Sequence, residues 1–241
     1  GDFKVDYTPV FGDAIDLQRF GEIGKKGVLA LLCDSTNAER PGFTDSEKSV
    51  GKTLDNIFSE HKNTRIIIAT FASNVDRVQQ IINSADKFGR KVAIEGRSMV
   101  NIVSIASELG YISLPDNILI DVDQLKNYPD EKTVIITTGS QGESMAALSR
   151  MASGMHRKVT IKPNDTIVFS SHPIPGNEKS VTGVDAQGCR CDFRRCTCQR
   201  TCVQGRYQAD LFSGKSAVRD SGAWRIQASD CTGEDCGRAW I

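Results

Sequence analysis

A chain of 241 residues is long enough to bury a core as one large domain or two small ones. Its 30 Lys and Arg balance 30 Asp and Glu, which excludes a uniformly basic surface, so any polyanion site must be a local groove of positive potential. No apolar run approaches the ~20 residues that span a bilayer, and the opening Gly-Asp-Phe-Lys has neither Met nor the basic-then-apolar order of a signal peptide, as in a chain that starts mid-protein.

Short continuous apolar runs at 27–33, 65–71, 91–94, 118–120, 133–137 and 166–169 predict strands buried on both faces of a parallel sheet. Helical spacing fills the gaps between them. Residues 45–61 place Val50, Leu54, Ile57 and Phe58 on one helical face. Residues 75–88 do the same with Val78, Ile81, Ile82 and Ala85, and then meet Gly89, a common stop. Two further helices are predicted at 98–109 and 143–152. Alternating strands and helices predict an α/β fold, doubly wound around a mainly parallel sheet. Ligands of such sheets sit beyond the carboxyl ends of the strands.

Polar loops fall at those ends. Strand runs lead into Asp34-Ser35-Thr36-Asn37, Ala72-Ser73-Asn74, Thr138-Gly139-Ser140-Gln141-Gly142-Glu143 and Ser170-Ser171-His172-Pro173-Ile174-Pro175-Gly176-Asn177. Small hydroxyls and glycine amides make neutral cradles for phosphate. Each loop alone reads as turn and cap chemistry. Four on one edge point to a phosphate-bearing ligand.

These segments, with Gly1-Asp2-Phe3-Lys4, Ala38-Glu39-Arg40-Pro41-Gly42 and Gly96-Arg97-Ser98, resemble ribonuclease J, of the β-CASP branch of the metallo-β-lactamase superfamily, over about residues 1–183. The resemblance implies a β-CASP domain at 25–183, preceded at 1–24 by a metallo-β-lactamase segment. It implies a ribonuclease with 5′-to-3′ exonuclease and endonuclease activity on single-stranded RNA, homo-oligomeric and cytoplasmic. It further implies two zinc ions that activate a water against a phosphodiester. By the same resemblance Asp2 bridges the metals and Asp34 is a catalytic carboxylate. Ser73, Asn74, Ser140, Gln141, Gly142, Ser170, Ser171 and His172 would line the RNA channel.

The departures are as informative. The family's His-rich metal cluster is absent, and the three histidines, His61, His156 and His172, lack metal-ligand spacing. His61 reads as a helix-end residue and His156 as solvated beside Arg157 and Lys158, whereas His172 reads as a turn residue or an RNA contact. One carboxylate does not hold zinc, so the expectation is an incomplete, inactive piece of the enzyme with no occupied metal site.

After Val184 the text changes. Of eight cysteines only Cys33 precedes it; Cys189, Cys191, Cys196, Cys198, Cys202, Cys231 and Cys236 follow. One cysteine in the front portion fits a cytosolic protein. The tail, 184–241, shows no convincing helix or strand pattern and is expected to be largely irregular. Its C-x-C pairs with uneven gaps fit common zinc sites poorly. Back-translation one nucleotide out of frame recovers family-like strings. Thr197 as ACA followed by Cys198 as TGT yields CAT, histidine, and the run to Cys202 reads His-Val-Ser-Gly-His. Residues 220–227 yield Ile-Pro-Val-His-Gly-Glu-Tyr-Arg in the same way. The tail is therefore expected to be a frameshifted continuation. The alternative is a non-catalytic RNA- or nucleotide-binding α/β module with a Cys-rich zinc tail. A small-molecule enzyme on the same fold lacks support, because no GxGxxG, Walker motif or nucleophile elbow is present.

Overall fold

The computed structural model describes residues 5–33, 45–171, 176–177 and 179–180, together with the backbone of three short strands in the tail. The chain divides into two compact units, Gly1–Ser46 with Gln199–Ile241, and Glu47–Cys198.

The larger unit is the α/β layer. Helices α2 (Glu47–Glu60), α3 (Val75–Lys87), α4 (Arg97–Glu108) and α5 (Ala147–Ala152) alternate with β1 (Ile66–Ala69), β2 (Lys91–Glu95), β3 (Leu119–Ile120), β4 (Thr133–Thr137) and β5 (Thr166–Phe169). A 3-10 helix, Val122–Asn127, follows β3. With β6 (Asp192–Arg195) the strands line up as β3-β2-β4-β1-β5-β6, every neighbouring pair parallel. The sheet is parallel because each strand returns through a crossover. The central strands are buried on both faces, which is why they read as unbroken aliphatic runs.

Two hydrophobic clusters cover the two faces. Ile66, Ile68, Val92, Val134, Ile136 and Val168 pack against α2, α3 and α4 through Leu54, Phe58, Ile81 and Met99. Ile67, Ala93, Ile135, Ile167 and Phe169 pack against α5 and the 3-10 turn through Leu148, Met151 and Val122. The period of two along each strand thus feeds opposite cores. The predicted faces of α2 and α3 are the buried ones, and α3 is closed by Gly89 at φ 63°.

The amino edge of the sheet is closed by buried ion pairs. Arg65 grips both oxygens of Asp165, from Nε at 2.9 Å and Nη2 at 2.5 Å, and also donates to the carbonyl of Thr160 at 2.7 Å. Arg90 donates to the carbonyls of Thr64 (2.8 Å) and His61 (2.6 Å) at the end of α2. Burial pushes the Arg90 guanidinium below its ordinary pKa, against the opposing pull of Glu131.

Three expectations need correction. Residues 27–33 form no strand; Leu29 and Leu32 are 89% and 80% exposed, in the smaller unit. An apolar run becomes a strand only where a ladder partner exists, and residues 27–33 have none among the described residues. That unit instead shows a helix, α1 (Leu17–Lys26), capped by the Asp16 carboxylate on the amide of Arg19 at 2.9 Å. The helix predicted from residue 143 starts at Ala147, because Leu148 N–H bonds back to the Thr138 carbonyl at 3.1 Å and holds the preceding residues in a loop. Third, the tail is not without strands. Besides β6, β7 (Ala217–Asp220) and β8 (Ala223–Ile226) pair antiparallel. Backbone pairing needs no side-chain pattern, and the dipeptide Ser221-Gly222 between them has turn composition.

Candidate functional site at the carboxyl edge

The chain leaves β1 through α3 on one face and leaves β4 through α5 on the other. These two strands are neighbours, so their connections diverge, the topology beyond which such sheets bind their ligands. The loops 70–74 and 138–143 follow these strands, and β5 brings the segment from Ser170 alongside. Strand ends are in register, with Ala69 opposite both Thr137 and Phe169, so the three loops start at one level.

The loop residues bond chiefly to one another. Gln141 Nε2 donates to Ser171 Oγ at 3.1 Å, and Ser171 Oγ donates to the Ser140 carbonyl at 3.3 Å. Asn177 Nδ2 reaches Gln141 Oε1 at 3.5 Å. The amide of Gln141 donates to the Glu143 carboxylate at 3.1 Å. Asn74 caps α3, its Oδ1 accepting from the Arg77 amide at 3.2 Å. Gly139 sits at φ 107°, and a Cβ there would lie 3.0 Å from the Cβ atoms of Ala146 and Leu148, so only glycine fits this loop as built.

Beneath the loops lies Arg77, 1% exposed. Its Nη1 donates to the Ser170 carbonyl at 2.9 Å and to Ser170 Oγ at 2.6 Å. Its Nε donates to Glu47 Oε1 at 2.7 Å, and Nη2 bonds to the same oxygen. A charge this deep requires such a partner. The pair ties α2, α3 and the end of β5 together and fixes where the loop from Ser170 begins.

The expected RNA-contact residues therefore divide. Asn74, Ser140, Gln141, Ser170 and Ser171 are buried and shape the edge from within. Ser73 is exposed and Gly142 half-buried, so these two reach solvent. Asp2, Asp34 and His172 lie outside the described residues. His156 is not solvated: its side chain is 5% exposed, and Nε2 lies 3.3 Å from the Glu95 carboxylate at the end of β2. Its Nδ1 accepts from the amides of Lys158 and Val159 at 3.3 and 3.1 Å, so Nε2 carries the ring proton. Arg77, Glu47 and the Glu95–His156 pair went unnoticed in the sequence. Nothing in local spacing marks them, because their partners are distant in the chain.

Among the described residues no group of three or more His, Cys, Asp or Glu is placed to hold a metal ion. Asp2, which the resemblance places at the two zinc ions, lies outside those residues. Nor is any described helix long and apolar enough to cross a membrane.

Comparison with known proteins agrees with this architecture. A solved structure of a protein of unknown function from Enterococcus faecalis shares the fold at a TM-score of 0.50 and 13% identity, over 88% of this chain and 48% of that one. Ribonuclease J of Synechocystis is 51% identical over 75% of this chain and 28% of its own length. Ribonuclease J 1 of Streptococcus pyogenes is 55% identical over 75% of this chain and 32% of its own. Ribonuclease J2 of Bacillus subtilis is 47% identical over 94% of this chain, into the cysteine-rich tail, and 42% of its own length. This chain thus spans between a quarter and a half of each of these relatives. The model of the β-CASP domain of ribonuclease J matches residues 63–186, the segment that holds strands β1 to β5, and by that match the chain belongs to the ribonuclease J family.

Proposed function

We propose that the chain contributes the RNA-holding face of a zinc-dependent ribonuclease of the ribonuclease J type, acting on single-stranded RNA in the cytoplasm. The observation that supports this most is the divergence of the connections after the neighbouring strands β1 and β4, with Ser73 and Gly142 in the loops beyond them and the Gln141–Ser171–Ser140 bonds stiffening that edge. Neutral hydroxyls and amides hold phosphate oxygens without needing a basic surface, which suits a chain of zero net charge. The narrower proposal, that this chain binds RNA but does not turn it over, follows from its sequence: His61, His156 and His172 lack metal-ligand spacing.

Fluorescence anisotropy on the 241-residue chain tests both parts. Labelled single-stranded oligo(U) should bind about tenfold more tightly than a duplex of equal length, a difference of about 1.4 kcal/mol. Gel analysis with added zinc should show intact RNA. Equal affinity for the duplex, or no binding, sinks the RNA reading; cleaved product sinks the inactivity.

We also propose that the tail is encoded out of frame. The match to Bacillus subtilis ribonuclease J2 favours an in-frame tail, whereas the other two relatives match only 75% of the chain. The encoding DNA decides: no His-Val-Ser-Gly-His string one nucleotide out of frame over 197–202 means that the tail is in frame.

A further inference from the structure

A concave site lies at the β3 end of the sheet, where Glu95 of its lining stands in register with Thr137 of β4. It is a cavity of about 580 Å³ between α4, the ends of β2 and β3, and the 3-10 turn Val122–Asn127. Its walls are apolar, formed by Ile94, Val100, Val103, Leu114, Leu119 and Ile120. Its charged lining is Glu95, Glu108, Asp121 and Lys158. Lys158 is already engaged by Asp123 at 2.8 Å. The hydrogen bond that Lys158 donates to Asp123 raises its pKa most, and the charges of Asp123, Asp121 and Glu95 raise it further, so these carboxylates share one acidic field. Glu95 is also approached by His156, whose Nε2 lies 3.3 Å from its carboxylate.

We propose that this cavity docks a basic peptide segment of a protein partner, one apolar side chain filling the pocket and flanking Lys or Arg meeting Glu95, Glu108 and Asp121. Charge complementarity identifies the occupant. RNA phosphates are repelled by this rim, so the site is separate from the proposed RNA face and does not depend on that reading. Val100, 47% exposed on α4, carries the apolar lining out to the mouth of the cavity. A peptide laid along a helix-lined groove with one buried anchor is a known mode of recognition.

The test is anisotropy on the full chain with two labelled nonapeptides, a leucine flanked by arginines and the same leucine flanked by glutamates. The arginine peptide should bind at least tenfold more tightly, with the difference shrinking in high salt. Ser104→Trp, from the exposed side of α4, should fill the cavity and abolish binding, and Glu108→Lys should weaken it several-fold. Thermal unfolding of both variants should match the parent and so exclude misfolding. Oligo(U) should not displace the peptide. Equal binding of the two peptides, no binding at about 1 mM, indifference to Ser104→Trp in a folded variant, or displacement by oligo(U) each overturns the proposal.

Discussion

Arg77 shows what a single buried residue does for this edge. Its guanidinium spends its donors on Glu47 and on both oxygens of Ser170, so it is a joint between α2, α3 and β5. Removing one member of a buried pair costs more than the pair is worth, because the other charge stays behind. Arg77→Met should therefore destabilise the chain by about 3–5 kcal/mol, and Arg77→Met with Glu47→Met by less than the sum of the single changes. Urea unfolding measures both, and additive losses would show that the two side chains act independently. The residue was invisible in the sequence for a physical reason. An arginine at one helical position looks like any solvated charge until the fold brings Glu47, thirty residues away, against it.

At the scale of elements, α2 and α3 pack so closely that a Cβ on Gly51 would meet Gln80 Oε1 at 2.7 Å. Asp55 on α2 accepts from Lys87 Nζ at 2.5 Å and from Ser84 Oγ at 2.8 Å, both on α3. Burial pushes the Asp55 carboxyl up, but these hydrogen bonds and the Lys87 charge outweigh it and hold the pKa below its ordinary value. A depressed carboxylate contributes stability above its unfolded pKa and loses it as pH falls through the folded one. Asp55 is about one-third exposed, so the contribution is small, about 0.2–1 kcal/mol. Asp55→Asn should lower the melting temperature at pH 7 and lose that deficit below about pH 4. A deficit constant across pH would remove the electrostatic account. The predicted elements were most legible where pattern and environment agree, as in α2, α3 and β4. They failed where they depended on a partner: residues 27–33 have a strand's composition without a strand's neighbours.

At the scale of the molecule, the sheet of the larger unit carries one core on each face, and both draw on the same strands. Ile67 and Ile136 face opposite cores and are both fully buried. Ile67→Ala and Ile136→Ala should each cost about 2–5 kcal/mol and lower one shared transition. Circular dichroism and amide exchange should report the same midpoint for both faces, and two separable transitions would show that the faces melt independently. The sequence by itself determined the α/β class, the buried strands, the faces of α2 and α3, and the family, because these rest on periodicity and on contiguous motifs. Only the tertiary structure decided that β1 and β4 are neighbours with diverging connections and that most of the polar loop residues turn inward to hold one another. It alone paired Glu95 with His156, beside an acidic cavity. Each of these depends on groups that are far apart in the chain and close only after folding, a relation that local spacing does not carry.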